Sequence, residues 1–505
     1  MNLNDIISLA KQNQGHKALA ELKSYLDKNQ QDQQALFYAG LWCFQSMDWK
    51  NAEVYMEKLI TLAPDNVEYL NNMLGMYMNM SNVKKAIQFQ LKLIELTSDS
   101  AEQNYNLAML YHRINDFGNA LVILQKLHQQ HPQNVQVIGV IADIVHGFGD
   151  FKQAIEYYKL ILSLEKFNES AFNGIVKSIK FTQVDEELLS LANRMLASSQ
   201  VSNEAKAQVN ISLGKMYDDC KKFEQAWQYY CAGNLQQQQL FPHDKHALNA
   251  QVNIIKSIFT KELVNDSKTI GDKISKPIFI VGMPRSGTTL LEQVLEHSGE
   301  TCAGGESLAL NKAINREFYN IRFPDEIAKV TAKTYQNLAE HYLNYFKNCH
   351  VNGDLRTVDK LPGNFLHLGL LKKMFPNIKI INLSRNKDDC SLSIFFQMFA
   401  NHMTFTTDME NISNFHQVYQ SIMAYWQELF ADNIYNLSYE DFVNDFEHKT
   451  KDLYQFLELD WNENVGNFID SKNSVQTPSS WQVRQGINNK SVGRSANYTK
   501  LMVPR

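Results

Sequence analysis

Alanine returns every 34 residues through the first third of the chain, at Ala18, Ala52, Ala86, Ala120 and Ala154, each inside an amphipathic run such as NAEVYMEKLI or QAIEYYKLIL. Twelve residues before the last four stand Gly40, Leu74 (beside Gly75), Ala108 and Ala142, and the same interval joins Gly214 to Ala226. Small residues on two successive helical stretches let paired helices approach closely. Each period therefore predicts one helix-turn-helix unit, which buries its apolar face only by stacking on its neighbours. Pro64 and Pro132 both fall twelve residues after a phase alanine, where the second helix has to stop. Leu188 occupies the next alanine position, so the unit near residues 169–200 is expected to be degenerate or differently packed.

Such a unit resembles the tetratricopeptide repeat (TPR), over roughly residues 1–235. The resemblance implies an α-helical solenoid whose first helices line a concave groove, with the residue two before the small position pointing into it. Asn72 and Asn106 hold that place, again 34 apart, while Tyr38, Val140 and Ser212 hold the others. A side-chain amide offers both donor and acceptor to the backbone of an extended peptide. An asparagine ladder of this kind serves the peptide-binding arrays of the family, which makes Asn72 and Asn106 acceptor-groove residues; two solvated surface asparagines would look the same.

Composition narrows the class without naming it. Gly and Pro number only 22 and 10 in 505 residues, and 44% of the chain is apolar, which excludes disorder and collagen-like structure. The formal charge of −5, without a long Lys/Arg run, gives no reason to expect a nucleic-acid partner. A polar opening sequence and the lack of a long apolar run point to a cytoplasmic chain with no membrane segment. The six cysteines form no CxxC pair, and His341, His350, His402 and His416 lack ligand spacing, so reduced thiols and no metal are expected. Phe395, Phe396, Met398, Phe399 and Met403 read as core rather than as a cofactor box.

From about residue 240 the period disappears, and residues 236–274 read as a helical linker. Short apolar runs then alternate with helical patterns: PIFIV (277–281), LRTV (355–358), IKIINL (378–383) and IYNL (434–437). Alternation of this sort predicts an α/β domain with a central parallel sheet over 275–505. Ligands of such sheets bind beyond the carboxyl ends of the strands, so Arg285, Lys360, Arg385 and Tyr439 should converge on one edge.

The octet Gly282-Met283-Pro284-Arg285-Ser286-Gly287-Thr288-Thr289 has the spacing of a P-loop between strand and helix, where backbone N–H groups wrap a phosphate. Thr288, however, stands at the lysine position on which nucleotide phosphotransfer relies, which weakens a kinase or ATPase reading. PIFIVGMPRSGTTLLEQVLEHS instead resembles the phosphosulfate loop of the sulfotransferase family, and within it the tyrosylprotein and the bacterial repeat-fused enzymes.

That resemblance implies 3′-phosphoadenosine 5′-phosphosulfate (PAPS) as donor, 3′-phosphoadenosine 5′-phosphate (PAP) as product, and no metal in the site. It gives Pro284, Arg285, Ser286, Gly287, Thr288 and Thr289 to the 5′ end of the donor. Arg385, Ser393 and Arg494 match the group around its 3′-phosphate, Tyr439 a residue near the nucleotide, and Gln482 and Val483 the segment closing over the adenosine. Among the catalytic residues it implies Glu306 as base, Lys360 and Arg285 as the cations on the leaving and transferring oxygens, and Ser479 beside the transferred group, with Ser480 adjacent. Asp359, next to Lys360, has a structural part open to it, orienting the lysine or the loop backbone. Leu308 replaces an arginine of the tyrosylprotein enzymes, Gln397 a second basic residue, and Ser495 a frequent tryptophan, so donor recognition is expected to carry over more fully than acceptor recognition.

The expected function is sulfuryl transfer to a hydroxyl, foremost a tyrosine of a peptide or protein, with the repeats delivering the acceptor. A saccharide or small-molecule acceptor stays open, as does a non-catalytic TPR adaptor with a nucleotide-sensing domain. Self-association is common in both families, yet no sequence feature fixes a homo-oligomer interface.

Overall fold

The computed structural model describes residues 1–502 apart from 13, 98–99, 269, 319–323, 325–326, 328–329, 467–486 and 490. Two compact units make up the chain, Met1–Pro132 and Gln133–Arg505.

The first unit is all helical among its described residues: α1 (Leu3–Lys11), α2 (Gly15–Lys28), α3 (Gln33–Gln45), α4 (Trp49–Leu62), α5 (Val67–Asn79), α6 (Val83–Leu96), α7 (Ala101–Arg113) and α8 (Phe117–Gln130). Asp32, Asp48, Asn66, Asn82, Ser100 and Asp116 each accept a backbone N–H three residues on, which starts α3 to α8. The phase alanines Ala18, Ala52, Ala86 and Ala120 are wholly buried on the even-numbered helices. Gly40 shows why the partner position is small: a Cβ there would come within 2.4 Å of Met56 Cγ on the next helix.

The second unit continues the helix pairs with α9 (Val135–Gly147), α10 (Phe151–Leu164), α11 (Glu169–Ser178), α12 (Glu186–Ala197), α13 (Asn203–Asp219) and α14 (Phe223–Leu240). In the irregular pair α11 and α12, Ala192 is the fully buried small residue, one turn beyond Leu188, which is only partly covered. The small-residue contact thus survives with a shift of four residues, one helical turn.

No free tether separates these helices from the α/β domain. The expected boundary at 235 falls inside α14, whose Tyr230 stacks on Phe396 at 3.8 Å and whose Asn234 Nδ2 donates to the Phe395 carbonyl at 2.8 Å. The linker is helical as α15 (Ala247–Ile258) and α16 (Lys261–Asn265), and Val252, Ile255 and Phe259 sit in the core of the sheet domain.

That domain runs β1 (Ile278–Gly282), α17 (Thr288–Glu296), β2 (Thr301–Ala303), α18 (Ala309–Glu317), α19 (Ala332–Cys349), β3 (Arg356–Asp359), α20 (Leu368–Met374), β4 (Lys379–Ser384), α21 (Lys387–Phe395), α22 (Met409–Phe430), β5 (Ile434–Ser438), α23 (Tyr439–Asn444) and α24 (Phe446–Leu457). Every strand pairing is parallel, in the order β2-β3-β1-β4-β5. Alternate residues of β1 face opposite layers: Phe279 and Val281 pack toward α19 and α22, Ile278 and Ile280 toward α17 and α24. Among the described residues no helix is long and apolar enough to cross a membrane.

Candidate functional site

Among the described residues the five strands of the sheet end on one edge, and each is followed there by one of the expected site residues: Glu306 after β2, Lys360 after β3, Arg285 after β1, Arg385 after β4 and Tyr439 after β5. The four-strand pattern read from the sequence lacks β2. Three residues, Thr-Cys-Ala, are too short to show a period, yet this strand pairs with β3 and sets Glu306 beside Lys360.

The loop leaving β1 is tightly built. Arg285 has φ 67° and Gly287 φ 104°, both in the left-handed region, which a bulky residue such as arginine rarely adopts outside functional turns. A Cβ on Gly287 would come within 2.4 Å of the Tyr439 ring, and one on Gly282 within 2.6 Å of Ser286 Oγ. Glycine is thus required at Gly287 for conformation and packing, and at Gly282 for packing. The loop then opens α17 at Thr288, presenting a helix N-terminus.

Cations gather around this turn. Arg285 Nε donates to Ser393 Oγ at 3.1 Å, and Arg385 Nη1 donates to the Arg285 carbonyl at 3.0 Å while its guanidinium lies 4.8 Å from the centre of the Tyr439 ring. Burial, with the like charges of Arg385 and Arg494, pulls the Arg285 guanidinium down to about 10. Among the described residues two buried donors here have no protein partner, Ser286 Oγ and Arg385 Nε. Crowded positive charge beside buried donors that still have capacity is chemistry that can take up a polyanion.

Lys360 follows β3, the neighbour of β1, and is 1% exposed, with Nζ 3.2 Å from Glu306 Oε1 and 3.9 Å from Glu292 Oε2. Glu306 itself is 59% exposed, so its carboxylate reaches both the lysine and solvent. The turn carrying it is held by Gly305 N donating to Glu292 Oε1 at 2.8 Å and by Lys360 N donating to the Gly305 carbonyl at 3.1 Å. Behind the lysine, Asp359 accepts from Tyr342 Oη at 3.1 Å and Asn364 Nδ2 at 3.0 Å, which holds the loop around Lys360 in place.

Burial pushes the Glu292 and Asp359 carboxyls each up to about 7; Lys360 opposes the rise at Glu292, and the bond from Tyr342 opposes it at Asp359. A raised carboxyl keeps its proton in the folded state after the unfolded chain has released it. Stability therefore falls as pH climbs from the unfolded pKa toward about 7 and levels off above it. Glu292→Gln keeps an oxygen for the Gly305 N–H and cannot ionise. Its urea midpoint is expected to drop less than that of the wild type between about pH 5 and about pH 7.5, and an equal drop would remove Glu292 as a cause.

Other expected residues fall differently. Arg494 is ion-paired with Asp218 at the end of α13, with its charge still felt at Arg285. Asn72 and Asn106 lie in the first unit on α5 and α7; Asn72 Nδ2 turns back to the Glu68 carbonyl at 2.8 Å, and Asn106 is exposed. Ser479, Ser480, Gln482 and Val483 lie outside the described residues. Sequence reasoning missed Glu292, which looks like any glutamate of LLEQVLEHS although α17 is buried from Thr288 to Leu295. It also missed Asp218 and Asp389, whose partners lie about a hundred or more residues away in sequence.

A parallel sheet with a phosphate-type loop on its middle strand, joined to helical repeats, defines the class of this protein. Residues 277–463 match the sulfotransferase family and residues 104–134 the tetratricopeptide repeat, so the chain carries a sulfotransferase-family domain and TPR repeats. An uncharacterized protein of Aquifex aeolicus is 30% identical over 381 residues, 73% of this chain and 49% of its own length. Protein-tyrosine sulfotransferase A of Caenorhabditis elegans is 23% identical over 200 residues, 38% of this chain and 53% of its own length. The chain thus spans about half the length of these curated relatives. Among solved structures, the sulfotransferase domain of the Synechococcus PCC 7002 olefin synthase has 17% identity and a TM-score of 0.29, covering 46% of this chain and 97% of that one. The sulfotransferase domain from the curacin biosynthetic pathway has 15% identity and a TM-score of 0.28, covering 46% and 99%.

Proposed function

We propose that this protein transfers a sulfuryl group from PAPS to a hydroxyl acceptor, foremost a tyrosine of a peptide or protein. The observation that carries the reading is the gathering of Arg285 and Arg385, within the field of Arg494, at a loop that lacks the P-loop lysine and has two buried donors without a partner among the described residues. A donor with phosphate at both its 3′ and 5′ positions suits such a spread of cations better than a nucleoside triphosphate, which calls for a loop lysine and magnesium.

When bound, the donor supplies the activated sulfuryl group. The residues Pro284 to Thr289 would hold its 5′ end, and Arg385, Ser393 and Arg494 its 3′-phosphate, with Tyr439 packed against the loop beside the nucleotide. Lys360 would place a point charge on the leaving and transferring oxygens, shared with Arg285. Glu306 would take the acceptor proton, since a phenol of pKa near 10 is poorly ionised at neutral pH. The Lys360 ammonium, 3.2 Å away, holds that carboxylate at the sheet edge.

The acceptor class rests on the tyrosine-sulfotransferase relative. Leu308, 51% exposed and two residues from Glu306, stands where a cation could have engaged an acidic acceptor, so we expect little demand for acidic residues around the tyrosine. The repeats would supply the acceptor's docking surface, Asn72 and Asn106 included. Six cysteines, none of them in a disulfide among the described residues, suit a reducing, cytoplasmic setting.

Titration calorimetry with PAP, magnesium omitted, tests the donor. Micromolar or tighter binding is expected, and Arg385→Ala should weaken it about 10- to 100-fold, the loss of one or two charge-assisted hydrogen bonds. Preference for ATP with magnesium would overturn the reading.

A further inference from the structure

Asp218 ends a repeat helix, yet its side chain is held by residues from the last segment of the sheet domain. That side chain is 8% exposed; one carboxylate oxygen takes Arg494 Nη2 and the other takes Tyr498 Oη at 2.5 Å. The segment bearing those partners is pinned again from the sheet side. Asp389, in the first turn of α21, accepts Gly493 N at 2.6 Å and Ser495 N at 2.7 Å, and Arg385 Nη2 donates to the Ser491 carbonyl at 2.7 Å. Aromatic packing fixes the remaining freedom: the Arg494 guanidinium lies 5.4 Å from the Phe396 ring centre, and Phe396 stacks on Tyr230 of α14. Tyr498 is wholly buried against Phe223, Trp227 and Phe396.

A long arginine side chain free in solvent loses much rotamer entropy when it captures an anion; one already fixed by a carboxylate and an aromatic face loses little. We propose that Asp218 is a positioning residue for the donor. A repeat helix thereby holds Arg494 in place for the 3′-phosphate and makes the repeats a structural part of the nucleotide site. The inference rests on the proposed identity of the donor.

Two effects of Asp218 oppose each other, which gives the test a sign. As a bare negative charge it would weaken anion binding, so its neutralisation would tighten PAP; as a positioning group its neutralisation loosens PAP. Calorimetry on the full chain compares PAP with adenosine 5′-phosphate, which lacks the 3′-phosphate. The ratio of the two dissociation constants is the readout, because general damage to the fold moves both ligands together. Asp218→Asn is expected to cut the preference for PAP about tenfold, with adenosine 5′-phosphate affinity held within about twofold. Arg494→Gln should cut it by a similar or larger factor, and Asp218→Asn should add nothing in that background. Tyr498→Phe, which removes only a hydroxyl, should give a smaller loss in the same direction and serves if Asp218→Asn proves unstable.

An unchanged or increased preference for PAP in Asp218→Asn, or equal loss for both ligands, would overturn the positioning role. Wild-type protein that binds PAP no better than adenosine 5′-phosphate would overturn the donor reading itself and Asp218's role with it, a result visible before any substitution is made.

Discussion

Replacing Lys360 with alanine is expected to lower the rate of sulfuryl transfer about 100- to 1000-fold while leaving PAPS affinity within about threefold of the wild type. The split comes from where the lysine sits. Its ammonium is at the β3 end of the sheet edge, against Glu306 and Glu292, whereas the cations assigned to the nucleotide lie beyond β1 and β4. Charge on the leaving oxygen is small in bound PAPS and grows toward the transition state, so kcat should suffer and PAPS binding should not. The fold is expected to tolerate the change. Glu292 and Asp359 already hold their protons up to about pH 7, and with Lys360 gone Glu292 would simply stay neutral. Single-turnover rates across a series of PAPS concentrations measure both quantities, the plateau giving the rate and the half-saturation the affinity. Unchanged turnover would transfer the whole role to Arg285.

Much of this arrangement is legible in the sequence because it depends on period and on strand ends. Ala18, Ala52, Ala86, Ala120 and Ala154 are all wholly buried, as the 34-residue spacing requires of a helix-pair contact. Arg285, Lys360, Arg385 and Tyr439 come after apolar runs that prove to be parallel strands, so these residues fall on one edge of the sheet without any loop having to be predicted. What stayed hidden lacks a local signature. β2 is held by its pairing to β3 and carries no alternation of its own. Glu292 occupies a helix position that looks solvated until the sheet and the Gly305 turn cover it. The pairing of Asp218 with Arg494 spans 276 residues and joins a repeat to a segment with no strand or helix period, so only the folded chain reveals it.

Glu306→Gln should be nearly as damaging as the loss of Lys360, with a dependence on the acceptor that the lysine variant lacks. A positioned base contributes about 100- to 10,000-fold, and the benefit shrinks as the acceptor's own hydroxyl becomes more acidic. With a tyrosine peptide, whose phenol has a pKa near 10, turnover is expected to fall by about two orders of magnitude or more. With a nitrophenol, ionised without help at neutral pH, the same variant should lose less than about tenfold. The amide preserves the size of the side chain and can still accept from Lys360 Nζ, so the contact at 3.2 Å and the Gly304-Gly305 turn need not change. Because Glu306 is the most exposed member of the cluster and its only side-chain partner among the described residues is Lys360, PAP affinity should be unaffected. Equal losses for tyrosine peptide and nitrophenol would mean that Glu306 acts by orienting Lys360 rather than by taking the proton. Lys360→Ala, by contrast, should slow both acceptors alike, since its charge would serve the leaving group and not the nucleophile.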